Sequence, residues 1–165
     1  MRIEEYHAGV TELYQAEIIG EGLFSTLLAT CPQEHAYGMA LLLQLEGEAK
    51  VRLRPLLWRL GLSVVEDQAM RAAGIQAADE LNQLSWRQAM LALAELVKPY
   101  IARYQALEAA APDSDKPAVH FMVAHEMTVL RFAELAAAGH KHAVQEVLNQ
   151  LEHPLPAARF PLRSV

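Results

Sequence analysis

Along most of this chain apolar residues return at steps of three and four, the spacing that lines one face of an α-helix. Tyr14-Glu17-Glu21-Phe24-Leu28 traces one such face and Met39-Leu42-Glu46-Ala49-Leu53 a second. Both faces carry glutamates where the pattern asks for apolar residues. An unpaired ionised carboxylate in a core costs several kcal/mol, a large share of the roughly 5–15 kcal/mol by which a domain is stable. Glu17, Glu21 and Glu46 are therefore expected to meet a cation, a proton or a dedicated hydrogen-bond donor.

The same periodicity predicts five helical segments and no strand. The first runs from about Ile3 to Ala29 and stops at Thr30-Cys31-Pro32. The second begins near Pro32 and reaches about Leu60, with Gly61 as its C-terminal glycine and Pro55 as a kink or early stop. Residues 61–74 form a long connection with a helical turn around Glu66–Ala72. A third helix spans about Ile75 to Ala110, with a second kink at Pro99. After the loop Ala111–Pro117, where Ser114 or Asp115 is a candidate N-cap, a fourth helix covers about Ala118 to Ala138. A short fifth runs from His140 to about Leu151. Residues 1–153 are expected to form a single domain, and residues 154–165 an extended tail whose Phe160 and Leu162 lie back on the helices or on a second subunit. Fourteen residues between the second and third helices are generous for a hairpin, so a crossover is the expected alternative to an up-and-down arrangement.

Composition narrows the class. Hydrophobic residues make up 53% of the chain but aromatic residues only 7%, so Ala and Leu supply the core and favour helix over sheet. A net charge of −6 argues against a nucleic-acid partner, which needs a basic footprint. Charges interrupt every apolar run, so no membrane span is expected. Cys31 is the single cysteine; it is expected to be structural, and the chain to work in a reducing cytoplasm. Trp58 and Trp86 are expected as core or interface anchors, and His7, His35, His120 and His153 as surface residues. His140 and His142, two apart on a helix, make a poor chelate.

Carboxylates and imidazoles pointing inward from different helices are the way helical proteins hold divalent metals. The face Val119-Met122-Glu126-Val129-Ala133 adds Glu126, and His125 lies about 100° round from it. The candidate metal ligands are thus Glu17, Glu21, Glu46, His125 and Glu126. Other partners compete for each. Lys50, one turn beyond Glu46, could neutralise it within the helix; Glu17 could pair with a lysine or arginine of the next helix; Glu126 could bond Tyr14, Tyr100 or Tyr104.

With these residues in place the chain resembles the ferritin-like superfamily, in particular its rubrerythrin-like members. Glu21-Gly22-Leu23-Phe24 resembles the first ligand helix of that family, and the positions of Glu46 and of His125-Glu126 resemble its later ligand segments. The resemblance spans roughly residues 8–138 and implies an all-α, ferritin-like four-helix bundle with a short fifth helix. The family pattern places a histidine three residues after a glutamate in two helices; here Ala49 follows Glu46 at that spacing, and Met122 precedes His125. A partial site remains; carboxylate donors with one imidazole make iron or manganese the expected metal, the resemblance implies chemistry on dioxygen or a peroxide, and the Leu-rich helices with their apolar, Pro-punctuated tail lead to the expectation of a homodimer. The alternative expectation is a non-catalytic bundle that has lost its metal and serves as a dimeric or partner-binding module. A third is a small-molecule pocket in which the glutamates anchor an amine. Catalytic residues and substrate are not specified by the sequence.

Overall fold

The structure, a computed structural model, describes residues 1–157. They form six α-helices and, among the described residues, no strand: α1 Ile3–Thr30, α2 Gln33–Arg59, α3 Gln68–Leu81, α4 Trp86–Ala110, α5 Lys116–Ala137 and α6 Ala143–Gln150. The protein is all-α, with helix ends set by local chemistry. Gly61 and Gly139 close α2 and α5 at φ values of 70° and 76°, in the left-handed region that a side chain would strain. Neither Pro55 nor Pro99 ends its helix. The expected contacts of Phe160 and Leu162 lie outside the described residues.

The span expected as one helix from Ile75 to Ala110 is two. Residues 82–85 reverse the chain, and Ser85 opens α4 through a reciprocal capping pair. Its hydroxyl accepts from the Gln88 N–H at 3.4 Å, and the Gln88 side chain accepts from the Ser85 N–H at 3.1 Å. On the other side the helix starts earlier than expected, because the Asp67 carboxylate accepts the Ala69 N–H at 2.8 Å. Asp115 occupies the N-cap position of α5, but its side chain does not cap. It is buried, and accepts from the Tyr6 hydroxyl at 2.8 Å and from Arg59 at 2.6 Å.

That cluster ties the start of α1, the end of α2 and the start of α5 together at one end of the molecule. At the other end the Thr30 hydroxyl bonds Asn82 at 3.0 Å, and His35 stacks on Trp86 with ring centroids 3.7 Å apart. Hence α1 and α5 run one way and α2 and α4 the other. Helix α3 is the crossover, lying beside α1 and parallel to it. The two helices approach backbone to backbone at Gly22 and Gly74, where any Cβ would meet main-chain atoms of the other helix. The connection before α3 is fastened to α1 by the Tyr14 hydroxyl, which donates to Val64 O, and by Gln15, which bonds Val65 O and Asp67 N.

The apolar core comes in two blocks. One is built from Leu23, Phe24 and Leu27 of α1, Met39 to Leu45 of α2, Leu93 of α4 and Phe132 of α5. The other holds Val10 to Ile18 of α1, Ala49 to Leu57 of α2, Tyr104 of α4 and Val119 to Val123 of α5. Between them, on α1, α2 and α5, stand Glu17, Glu46, Glu126 and His125. Helix α6 completes the first block with Val147, while the buried Glu48 accepts the N–H groups of Glu152 and His153 at 2.7 and 2.8 Å. Trp58 is 78% exposed and is no core anchor. No helix among the described residues is long and apolar enough to cross a membrane.

Candidate metal centre

Glu17 from α1, Glu46 from α2 and His125 from α5 converge in the layer between the two core blocks, each no more than 3% exposed. His125 Nε2 lies 3.4 Å from Glu17 Oε2 and 3.3 Å from Glu46 Oε1. One potential ligand atom from each residue lies within 4.8 Å of the other two. Among the described residues, three buried polar side-chain atoms have no hydrogen-bond partner: Glu17 Oε2, His125 Nδ1 and Tyr104 Oη. Two of the three belong to this trio. Buried polar atoms are nearly always satisfied, so the unpaired Glu17 Oε2 beside His125 Nε2 points to a missing partner there, while Nδ1 faces away from the two carboxylates.

The spacing suits a metal ion. Ligand atoms each about 2.1 Å from one ion, at angles between square and tetrahedral, are about 3.0–3.4 Å apart. The donor set, two carboxylates and one imidazole, suits iron or manganese. Glu46 lies against the backbone of α1 where Gly20 has no side chain; a Cβ there would overlap the carboxylate. Gly20 is thus part of the site, and the sequence marks it only as a glycine inside a helix.

Burial and mutual charge shift Glu17, His125, Glu126 and Tyr104 from their ordinary values. Burial drives the Glu17 carboxyl well above the usual range; His125 opposes that shift, and the charges of Glu46 and Glu126 add to it. Burial alone would lower His125, but the charges of Glu17 and Glu46 outweigh it and raise the imidazole to about 10. Glu126 is raised to about 7, mainly by burial, with Glu46 adding and His125 and Arg103 opposing. The Tyr104 phenol of α4 is pushed up by burial and by the charges of Glu126 and Glu17.

These shifts share one sign in the folding balance. A group whose folded pKa exceeds its unfolded value contributes stability that is complete below the unfolded value and lost as pH rises through the folded one. For Glu126 the window runs from about 4.5 to about 7, and for His125 from about 6.5 to about 10. Metal-free protein is expected to lose melting temperature steadily from pH 5 to pH 9 in a thermal-melt series. Glu126→Gln is expected to flatten the part below pH 7.

Glu21 does not join the centre. It bonds Lys50 Nζ at 2.7 Å and Arg71 at 2.7 Å, and Lys50 also holds Glu66 at 2.5 Å. Lys50, buried on α2, therefore neutralises Glu21 and Glu66 rather than Glu46. Burial would lower the lysine, but its hydrogen bonds to these two carboxylates raise it. Arg71 and Glu66 lie in or before the crossover helix, and sequence spacing offers no signal for their role. Lys50→Met is expected to cost about 2 kcal/mol in urea unfolding while leaving metal content unchanged. Glu126 shares the buried layer but falls outside the three-way group of ligand atoms. It bonds none of Tyr14, Tyr100 and Tyr104; Tyr14 is engaged by Val64 and Arg54.

Comparison of the chain with protein-family models, with curated proteins and with solved structures finds no match. Fold and site together define an all-α protein with a buried Glu–His–Glu cluster capable of holding a metal.

Proposed function

We propose that this chain is a ferritin-like metalloprotein that binds one divalent ion, iron or manganese, through Glu17, Glu46 and His125. The observation that carries the proposal is the convergence of these three side chains, from three helices, in the layer that interrupts the core. As a stabilising device such a cluster is poor, because buried ion pairs generally stabilise no more than well-packed apolar side chains of the same volume. A bound cation supplies the charge and the ligand contacts that Glu17 Oε2 lacks. Bound iron or manganese would supply one-electron chemistry toward dioxygen or a peroxide. The chain contributes the three ligands, the apolar blocks that limit access of water, and the Tyr104 phenol beside them.

Where a ferritin-like site would draw a further carboxylate from the helix equivalent to α4, this chain presents Val97, Tyr100 and Tyr104. That supports a mononuclear site over a dinuclear one. It is also the observation that favours the alternative, a non-catalytic scaffold that retains the cluster only as a proton-bridged triad. Anaerobic reconstitution with ferrous iron, followed by desalting and metal analysis, separates the two. The metalloprotein is expected to retain about one equivalent, and Glu46→Ala less than about a tenth. Retention below a tenth by the unsubstituted protein, with iron and with manganese, would leave only the scaffold.

A further inference from the structure

A cavity of about 250 Å³ adjoins the buried layer, enclosed by α1, α3, α4 and α5. Its walls are apolar, among them Leu23, Phe24, Leu93 and Val97, and its polar groups gather where Glu46, His125 and Glu126 reach it. The rim lies between α3 and α4, where Ala73 and Leu96 are both exposed. Glu126 is only 8% exposed and lines the cavity; His125 and Arg103 act on it through charge, and among the described residues no side chain is placed to donate a hydrogen bond to it. A carboxyl group buried against an apolar cavity with no donor placed on it is half of a recognition pair.

We propose that this cavity binds an apolar primary amine, its ammonium held by Glu126 and its hydrocarbon body along the apolar walls. Charge selects the head group. Two carboxylates, Glu46 and Glu126, stand at the polar end against one imidazole, His125, so a carboxylate or phosphate would add to a negative excess; a neutral hydroxyl could donate to Glu126 but brings no charge, whereas an ammonium supplies both the donor and the charge. Volume selects the body. An apolar cavity of roughly 150 Å³ accommodates benzene, so this one takes a ligand of about ten non-hydrogen atoms. The proposal stands on Glu126 and the cavity and goes beyond the metal centre, since Glu126 lies outside the group of metal-ligand atoms.

Calorimetric titration of the chelator-treated full chain at pH 8 with octylamine, 1-octanol and octanoate tests it. Octylamine is expected to bind one equivalent at least tenfold more tightly than octanol, and octanoate not to bind. Glu126→Gln is expected to reduce octylamine affinity at least tenfold and leave octanol unchanged. Leu96→Trp at the rim, or Val97→Trp within the cavity should the rim variant fold poorly, is expected to abolish both. Glu17→Gln, which removes a metal ligand that does not line the cavity, is expected to abolish metal retention while octylamine still binds at one equivalent, so the amine site and the metal centre fail separately. Equal affinity for octylamine and octanol, no binding of either, or octylamine binding that survives Glu126→Gln or the tryptophan variants would overturn the proposal.

Discussion

His125→Leu is expected to abolish metal retention and to destabilise the metal-free protein by about 3–5 kcal/mol at pH 8. Among the described residues the imidazole is the one basic side chain within ion-pair distance of Glu17 and Glu46, at 3.4 and 3.3 Å. Without it two buried carboxylates, with Glu126 close by, face one another with no compensating charge. They must then take up protons or unfold the layer around them. Urea unfolding of the metal-free protein at pH 8 measures the loss. Replacing all three residues at once, with Glu17→Leu and Glu46→Leu added to His125→Leu, is expected to recover most of that loss or exceed the original stability, because well-packed apolar side chains often outperform a buried ion pair. A triple variant as unstable as the single one would mean that the cluster serves the fold rather than a ligand.

Gly74→Val is expected to cost on the order of 3–4 kcal/mol in the same measurement. A Cβ at Gly74 would meet the Ile19 carbonyl and the Leu23 amide nitrogen on α1, atoms that cannot rotate aside. Helix α3 would have to move away, carrying Arg71 from Glu21 and the Ala73 and Ala77 walls from the cavity. The variant should therefore lose octylamine binding along with stability. Gly47→Ala is the control. It lies inside α2 with nothing within 4 Å of the added carbon, so it is expected to gain about 0.5–1 kcal/mol from helix propensity.

Glu17 and Glu21 show where sequence periodicity stops being informative. They lie four residues apart on one stripe, about 40° apart around the helix axis, and either could face the core. Helix α1, however, is packed on two sides, by α2 and by α3. Lys50 and Arg71 claim Glu21, while Glu17 turns to His125. Lys50 likewise sits one turn from Glu46, yet it reaches Glu21 and Glu66 on other segments. The break at residues 82–85 was legible, since Ser85 and Gln88 spell a capping pair, but the apolar period continues across it and hides it.

By itself the sequence determined an all-helical chain, most of its helix limits and the layer of polar residues within its stripes. Those features follow from local rules: the 3.6-residue period, the missing proline N–H, the left-handed glycine and the capping side chain. The tertiary structure alone decided which carboxylates face His125, that Gly20 leaves room for Glu46, and that Glu126 borders an apolar cavity. Pairing and burial depend on how each helix is rotated and what packs across from it, and those relations join residues tens of positions apart that no spacing rule connects.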